Sequence, residues 1–285
     1  MHTADHKKAV AIVILVGGLL SGSTFAEDAG PHATQIRANY GVYWAGLHLG
    51  DVRLAMTVDG SDYQMKGDGR FSIMGGLLYE WHGRTSSAGN LVKGTAKPSQ
   101  YTLSYSGGDK QSDLRISFSD GAVTQVSISP EKRPNPRDIP VTKEQLQGVL
   151  DPMTGAFLRP RPNLPAADLK VCNEKIPVFD GQMRFNLVLV PRQQKRIETG
   201  AGAGYSGFAA ICGVKFVPIS GYRPDNRAVK FMTAHTDEIE AWLVPMPRTD
   251  LYLPYRISVP TAFGFGQAQL LSFQVDGTRE MRTAQ

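Results

Sequence analysis

The sequence predicts a mainly β protein: a strongly curved antiparallel sheet or open barrel with one or two short helices. Three observations predict this fold class. Apolar residues alternate with polar ones along many short segments, turn residues separate those segments, and two helix-start signals lie together near the middle of the chain. Many short strands at regular spacing are typical of a meander or barrel, not of alternating βα units.

The first half of the chain has the pattern of a meander. Leu54, Met56 and Val58 alternate with polar or small residues, so they should lie on one strand face. Asp59-Gly60 is a hairpin turn signal. Strands are predicted by the same pattern over residues 40–44, 51–58, 63–71, 101–105, 114–118 and 123–128.

A proline-rich connection near residues 130–165 carries both helix-start signals. Thr142 and Gln145 form a capping box, which predicts a helix over 142–150. Asp151 followed by Pro152 predicts the N-cap of a second helix over 151–158. We expect the helical pair to sit against the curved sheet or to plug it.

The second half returns to strands. Asp180-Gly181 predicts a structural turn before the first of them. Strands are predicted over residues 183–190, 207–217, 228–232, 239–244, 255–259 and 263–275, the last with a glycine bend.

Residues 1–26 have the three parts of a signal peptide. Lys7 and Lys8 precede an apolar run over 9–20, and small residues lead to a cleavage site after Ala26. An uncleaved anchor is the alternative, but the run is short and glycine-rich for a span of roughly 20 apolar residues. No cysteine lies near the cleavage site, so lipidation is not expected. We predict a periplasmic protein with one curved-sheet domain over 27–285.

Net charge and cysteine count exclude some kinds of partner and metal site. The formal net charge of +5 is mild and unclustered, so nucleic-acid binding is not expected. Cys172 and Cys212 are the two cysteines of the chain, and an even count in an exported protein favours one disulfide. Two free buried thiols are the alternative, while a zinc site lacks the usual ligand spacing.

No motif indicates catalysis. Residues 202–207 match GxGxxG, but a strand-like segment follows where a dinucleotide site needs a helix. The four histidines after residue 26 are far apart in sequence, and most aspartates sit in turns. We therefore predict no catalytic residue, no metal and no cofactor, and expect a non-enzymatic protein. A triad assembled from distant segments would make it a hydrolase instead.

Large apolar side chains offer a candidate ligand pocket. If the sheet curls incompletely, its apolar face should line a cavity for a lipid or another apolar ligand. The candidate ligand-binding residues are Trp44, Leu54, Met56, Phe71, Met74 and Trp81. The alternative is that these side chains pack together and leave no space.

Two basic loops offer a second kind of contact. Residues 131–137 and 192–196 could meet anionic headgroups, which would give peripheral contact with a membrane. Solvated loops are the alternative for either segment.

Several short motifs in a fixed order resemble a family of exported bacterial proteins known as domain of unknown function 3108. They occur at residues 40–50, 98–105, 150–155, 172–181, 205–214 and 218–222. The resemblance implies an envelope protein with a Cys172–Cys212 bridge, and it implies no reaction. More distantly, the expected sheet is similar to the half-barrels of periplasmic lipoprotein and lipid carriers. We therefore expect a lipid or lipoprotein ligand; the alternative is a structural protein of the envelope with a protein partner and a fully packed sheet.

Overall fold

A computed structural model describes residues 33–73, 79–108, 110–131, 135–161, 164, 167–198 and 205–276. Their strands are β1 (Thr34–Trp44), β2 (Leu47–Asp59), β3 (Asp62–Ile73), β4 (Tyr79–Val92), β5 (Thr95–Gly107), β6 (Lys110–Ser119), β7 (Ala122–Ser129), β8 (Arg159–Pro160), β9 (Glu174–Phe179), β10 (Arg184–Ile197), β11 (Gly207–Ser220), β12 (Glu240–Pro245), β13 (Leu251–Thr261) and β14 (Gly264–Asp276). The α-helices are α1 (Pro152–Phe157) and α2 (Arg227–Ala234), and single 3-10 turns occur at Glu144–Leu146, Leu169–Cys172 and Thr236–Glu238. The predicted signal peptide over 1–26 lies outside the described residues.

The strands form one antiparallel sheet in the order β7-β6-β5-β4-β3-β2-β1-β14-β13-β12-β11-β10-β9, with β8 paired to β13. Pairing of β1 with β14 joins two meanders into a single surface. Among the described residues, the edge strands β7 and β9 do not pair with each other. The fold class predicted from the sequence, a curved antiparallel sheet that is not closed, is therefore confirmed.

The connection between the meanders spans the gap between the two edges. Gly148 donates its N–H to the carbonyl of Gly121 in the β6–β7 turn, at 2.7 Å. Two residues later, Leu150 donates to the carbonyl of Pro177 in β9 and accepts from Phe179 N, at 2.8 and 2.9 Å. The segment thus satisfies backbone groups of both edges, which would otherwise need water or another partner.

Helix α1 lies inside the curve of the sheet, because it contacts β4, β9 and β13, which are distant in strand order. Asp151 is its N-cap and accepts from the N–H groups of Met153 and Thr154 at 3.0 and 2.9 Å. Met153, Thr154 and Gly155 are buried. The helix therefore acts as a plug, the second of the two placements expected from the sequence.

Two apolar cores flank the sheet. The larger lies around α1 and takes the alternate residues of the long strands, among them Ile36, Tyr40, Leu54, Met56, Tyr63, Met65, Ile116 and Leu253. The second includes Cys172, Ile176, Cys212 and Leu243, and side chains of α2 and of the 3-10 turn at Leu169–Cys172 pack on it. Both faces of the C-terminal meander thus carry buried side chains.

Two local predictions are wrong. The capping box does form, with Thr142 N donating to Gln145 Oε1 at 3.2 Å, but only the 3-10 turn Glu144–Leu146 follows. Gly148 then adopts a φ of +67°, and the next residues pair with the sheet edges instead of continuing a helix. Residues 228–232 belong to α2 and are not a strand, because Asn226 caps the N–H groups of the first turn.

Candidate functional site

One end of the sheet contains a space that side chains do not fill. We call it the end cavity; its volume is about 690 Å³. It lies where β5, β7 and β9 end and β6 begins. It is lined by Tyr101, Leu103, Tyr105, Lys110, Gln111, Ser112, Leu114, Ile128, Pro130, Glu131, Pro152, Asp180 and Gln182.

The inner wall of the end cavity is apolar and aromatic. Tyr101, Leu103 and Tyr105 are alternate residues of β5, so they project from the same face. Leu114 of β6 pairs with Leu103, and Ile128 of β7 pairs with Leu114. Three neighbouring strands thus contribute one continuous apolar wall.

The mouth of the end cavity is polar. Lys110, Gln111, Glu131 and Gln182 are exposed there. The carboxylate of Asp180 accepts from the N–H groups of Gln182 and Met183 and so shapes the β9–β10 turn. An apolar wall with a ring of polar groups at its opening suits an amphipathic molecule better than a fully apolar one.

Burial keeps the wall uncharged. It raises the pKa of Tyr101 to about 12, although a hydrogen bond with Thr85 lowers it slightly. The Tyr101 phenol is therefore neutral at physiological pH. A neutral wall with a low dielectric favours aliphatic ligand groups and disfavours buried charge.

The plug forms the floor of the end cavity through Pro152, and a buried polar network holds the plug in place. Asp151 Oδ2 accepts from the hydroxyls of Ser87 and Thr154, at 2.8 and 2.6 Å. The Tyr63 hydroxyl lies 3.1 Å from Thr154 Oγ1. Burial raises the pKa of Asp151, while these hydrogen bonds lower it. The network joins β3 and β4 to the helix and gives Asp151 a structural role.

A guanidinium anchors the other end of the plug. Arg159 is buried and donates to the carbonyls of Gly155 and Leu158, the second at 3.3 Å. Its Nε lies 3.6 Å from Glu174 Oε2. Burial lowers the pKa of Arg159 to about 10, so it stays charged at neutral pH and complements the helix C-terminus.

An aromatic stack extends the wall of β5 across the sheet. The rings of Phe71 and Trp81 are 4.7 Å apart, and those of Trp81 and Tyr105 are 6.3 Å apart. Trp81 lies over Gly83, where an added Cβ would be 2.2 Å from the indole. The glycine is therefore what allows the indole to lie flat against the sheet.

The structure does not bring the five described candidate ligand-binding residues together at one site, although Phe71 and Trp81 stack on each other. Leu54 and Met56 are 3% and 2% exposed and belong to the packed core. Trp44 lies at the β1–β2 turn. Phe71 and Trp81 lie beside Tyr105 of the end cavity. Met74 lies outside the described residues.

The residues of β5, β6 and β7 that form the cavity wall were not among the ligand-binding residues predicted from the sequence. The alternation of Tyr101, Leu103 and Tyr105 was visible, but alternation alone cannot tell a filled face from an unfilled one. The decisive feature is where α1 stops along these strands. That depends on the capping and anchoring of the plug by residues from distant segments.

The two cysteines form a disulfide, with their Cα atoms 5.3 Å apart. Both are fully buried in the second core. The bond joins the 3-10 turn at Leu169–Cys172 to β11. It therefore holds the chain that enters β9, away from the residues that line the end cavity.

The described residues contain no cluster typical of a metal site. No group of three or more His, Cys, Asp or Glu side chains in them is placed to hold a metal ion. Their histidines pair with carboxylates near the surface: His48 with Asp51, His82 with Asp68 and His235 with Glu238. Within the same residues no helix is long and apolar enough to cross a membrane.

Comparisons with known proteins identify similarity to a protein family and to a solved structure. The family model described as "Protein of unknown function (DUF3108)" matches residues 39–270. No curated protein matches the chain. A crystal structure described as a β-barrel-like protein of domain of unknown function DUF1849 from Brucella abortus is 9% identical, with a TM-score of 0.46; the similarity covers 87% of this chain and 99% of that one.

Proposed function

We propose, from the premise that this chain belongs to the DUF3108 family of proteins of unknown function, that it is an exported, non-enzymatic binding protein. Its ligand is the apolar part of an amphipathic envelope molecule, such as an acyl chain of a lipid or lipoprotein. The end cavity is the binding site. The observation that supports this proposal best is that the space enclosed by the sheet is packed around α1 but is left open at the end where the cavity lies.

The size and chemistry of the end cavity support this proposal. Its volume of about 690 Å³ lies within the roughly 300–1,000 Å³ typical of small-molecule sites. An acyl chain placed against Leu103, Leu114 and Ile128 would leave water at about 0.8 kcal/mol per methylene, before the costs of association. The headgroup would remain at the polar mouth.

The residues at the mouth would select among headgroups. Lys110 offers a cation and Glu131 an anion, while Gln111 offers a neutral hydrogen-bonding side chain. This mixed set favours a zwitterionic or sugar-bearing headgroup over one with several charges of the same sign. Selection by the mouth and burial by the wall would thus act on different parts of one ligand.

Export is part of the proposal. The N-terminal pattern and the buried disulfide both favour the periplasm. The exported protein should begin at Glu27 after cleavage. N-terminal sequencing of the protein from an envelope fraction would test this; finding Met1 on cytoplasmic protein would contradict it.

A second candidate, an envelope protein that acts through a protein partner, is favoured by the exposed edge of β7. This strand pairs with β6 on one side, and the bridging segment covers only its beginning, at Ala122. Val126 on the same strand is exposed. An open strand edge can accept a strand from a partner.

Native mass spectrometry of mature protein purified from envelope extracts distinguishes the two candidates. A mass adduct that is released on denaturation and extracts into organic solvent would support the binding function. Protein that carries no such adduct, and that also binds no added acyl probe, would contradict it. A co-purified protein bound through β7 would support the second candidate.

A further inference from the structure

Two neighbouring hairpins form a second unusual feature, at the same end of the sheet as the mouth of the end cavity. The β1–β2 turn lies beside the β13–β14 turn, and Ala45 donates its N–H to the carbonyl of Phe265 at 2.9 Å. The ring of Trp44 meets that of Phe263 edge-on, with centroids 6.5 Å apart. The two turns are therefore held together as one unit.

The side chains on this unit are large, apolar and exposed. Leu47 is 65% exposed, Phe263 is 75% exposed and Phe265 is 40% exposed. We call these three residues and Trp44 the apolar tip. Single exposed apolar residues are ordinary, whereas three exposed ones beside the half-buried Trp44 on two joined turns mark a contact surface.

Acidic and basic side chains other than that of His48 are absent from the parts of the strands that lie next to the apolar tip. Residues 38–50 and 257–275 contain no Asp, Glu, Lys or Arg. At the opposite end of the sheet, turns contain charged residues, as in Asp59-Gly60, Lys93-Gly94 and Asp120-Gly121. Charged side chains do occur at the same end of the sheet as the tip, among them Lys110, Glu131 and Asp180 at the mouth of the end cavity, so the absence of charge is local to the apolar tip.

We propose that the apolar tip inserts into the interfacial region of a lipid bilayer. Aromatic residues with a polar group concentrate at this depth, and Leu and Phe gain from leaving water there. The indole N–H of Trp44 already donates to Thr261 Oγ1 at 3.1 Å, so insertion leaves it satisfied. Around the tip, residues 38–50 and 257–275 bring no Asp, Glu, Lys or Arg side chain toward the membrane, and the imidazole of His48 lies 3.1 Å from Asp51 Oδ1.

Insertion would bring the end cavity to the membrane. β1, β5 and β13 run in the same direction through the antiparallel order, and they end at the side that holds both the apolar tip and the cavity mouth. An amphipathic ligand could then pass between the bilayer and the cavity at this end of the sheet. This link rests on the proposed function, whereas insertion itself rests on the tip alone.

The tip differs from the basic loops considered from the sequence. Of these loops, residues 132–134 lie outside the described residues. The second segment, residues 192–196, is not a loop as expected but part of β10, where it pairs with β11, and its Arg192 donates to Glu240 Oε1 at 2.5 Å and to the carbonyl of Asp237. Insertion through an uncharged tip should therefore depend little on salt, whereas headgroup attraction to basic loops should weaken as salt rises.

Sedimentation with vesicles of phosphatidylethanolamine and phosphatidylglycerol tests the proposal. We expect the mature wild-type protein to partition onto vesicles, with less than a twofold change between low and high salt. The double variant L47S/F263S should partition at least tenfold more weakly. Phe208→Ser is the matched control, because Phe208 is 50% exposed at the start of β11, at the opposite end of the sheet, and this variant should partition like wild type.

Equal partitioning of L47S/F263S and wild type would overturn the proposal. So would a wild-type dimer that the double variant dissociates without any vesicle binding, because the tip would then be an interface between two copies. Binding of an acyl probe in vesicle-free buffer is measured on the same proteins. It should persist in L47S/F263S, so failure of insertion and failure of the end cavity give different results.

Discussion

The hydroxyl of Ser87 on β4 donates a 2.8 Å hydrogen bond to the carboxylate of Asp151, 64 residues further along the chain. This contact joins the middle of the first meander to the N-cap of the plug. Because Pro152, the first residue of the plug, lines the end cavity, the contact also positions the floor of the cavity. A structural hydrogen bond thus contributes to the position of one wall of the proposed binding site.

The first prediction concerns the loss of this carboxylate. Asp151→Ala removes the N-cap, which costs about 0.5–2 kcal/mol. It also leaves the buried hydroxyls of Ser87 and Thr154 short of a partner, at about 1–3 kcal/mol for an unsatisfied group. Asp151→Asn keeps an oxygen for the helix N–H groups and should lose less. Urea unfolding would measure both; equal stability of Asp151→Ala and wild type would contradict the structural role.

The second prediction concerns pH. Burial raises the pKa of Asp151 above its ordinary value of 3.8, so the fold favours the protonated carboxyl. That contribution is fully present below the unfolded-state pKa and is lost as pH rises through the folded-state pKa. The difference in unfolding free energy between wild type and Asp151→Asn should therefore shift against wild type as pH rises from about 3 to about 7. A difference that is constant across this range would contradict the shift.

The third prediction concerns the disulfide. Replacing Cys172 and Cys212 by Ala opens a loop with a sequence separation of 40, and this should cost about 2–5 kcal/mol. The measurement is urea unfolding of wild type and of C172A/C212A. Acyl-probe binding should survive wherever the variant is folded, because neither cysteine lines the end cavity. Two alkylatable thiols in native, air-purified wild-type protein would contradict the bridge itself.

The fourth prediction concerns Gly83. An added Cβ there would be 2.2 Å from the indole of Trp81, so Gly83→Ala should displace the ring and cost about 1–3 kcal/mol. Gly266→Ala is the control, because its Cβ would meet nothing closer than 3.8 Å. Tryptophan fluorescence and urea unfolding should change in the first variant and little in the second. An unchanged spectrum in Gly83→Ala would mean that the indole does not lie over this glycine.

The antiparallel sheet was predictable because its signal is local. Leu54, Met56 and Val58 alternate within one strand, and Asp120-Gly121 occurs where the chain must turn with positive φ at both residues. Helix α2 was not predicted, because Val229 and Phe231 alternate with Lys230 as residues of a strand do. The side chain of Asn226 accepts from the first N–H groups of this segment, and this N-cap favours a helix over a strand.

The candidate site was only partly predictable, because it depends on contacts between distant segments. Tyr101 and Leu103 were recognised as one strand face, but Leu54 was equally apolar and proved to be core. Which face remains open is decided by the position of α1. That position depends on Ser87, Asp151 and Arg159, which no local pattern connects.

The central claim is that the end cavity binds the apolar part of an amphipathic ligand, and titration with a fluorescent acyl probe tests it most directly. Wild-type protein should bind the probe saturably. Ile128→Asp places a charge in the wall and should weaken binding at least tenfold, the effect of roughly 1.4 kcal/mol. Ser127→Asp, the matched control, alters the exposed neighbour on the opposite face of β7 and should leave binding unchanged. Absent or non-saturable binding by wild type, or equal binding by folded Ile128→Asp, would contradict the account.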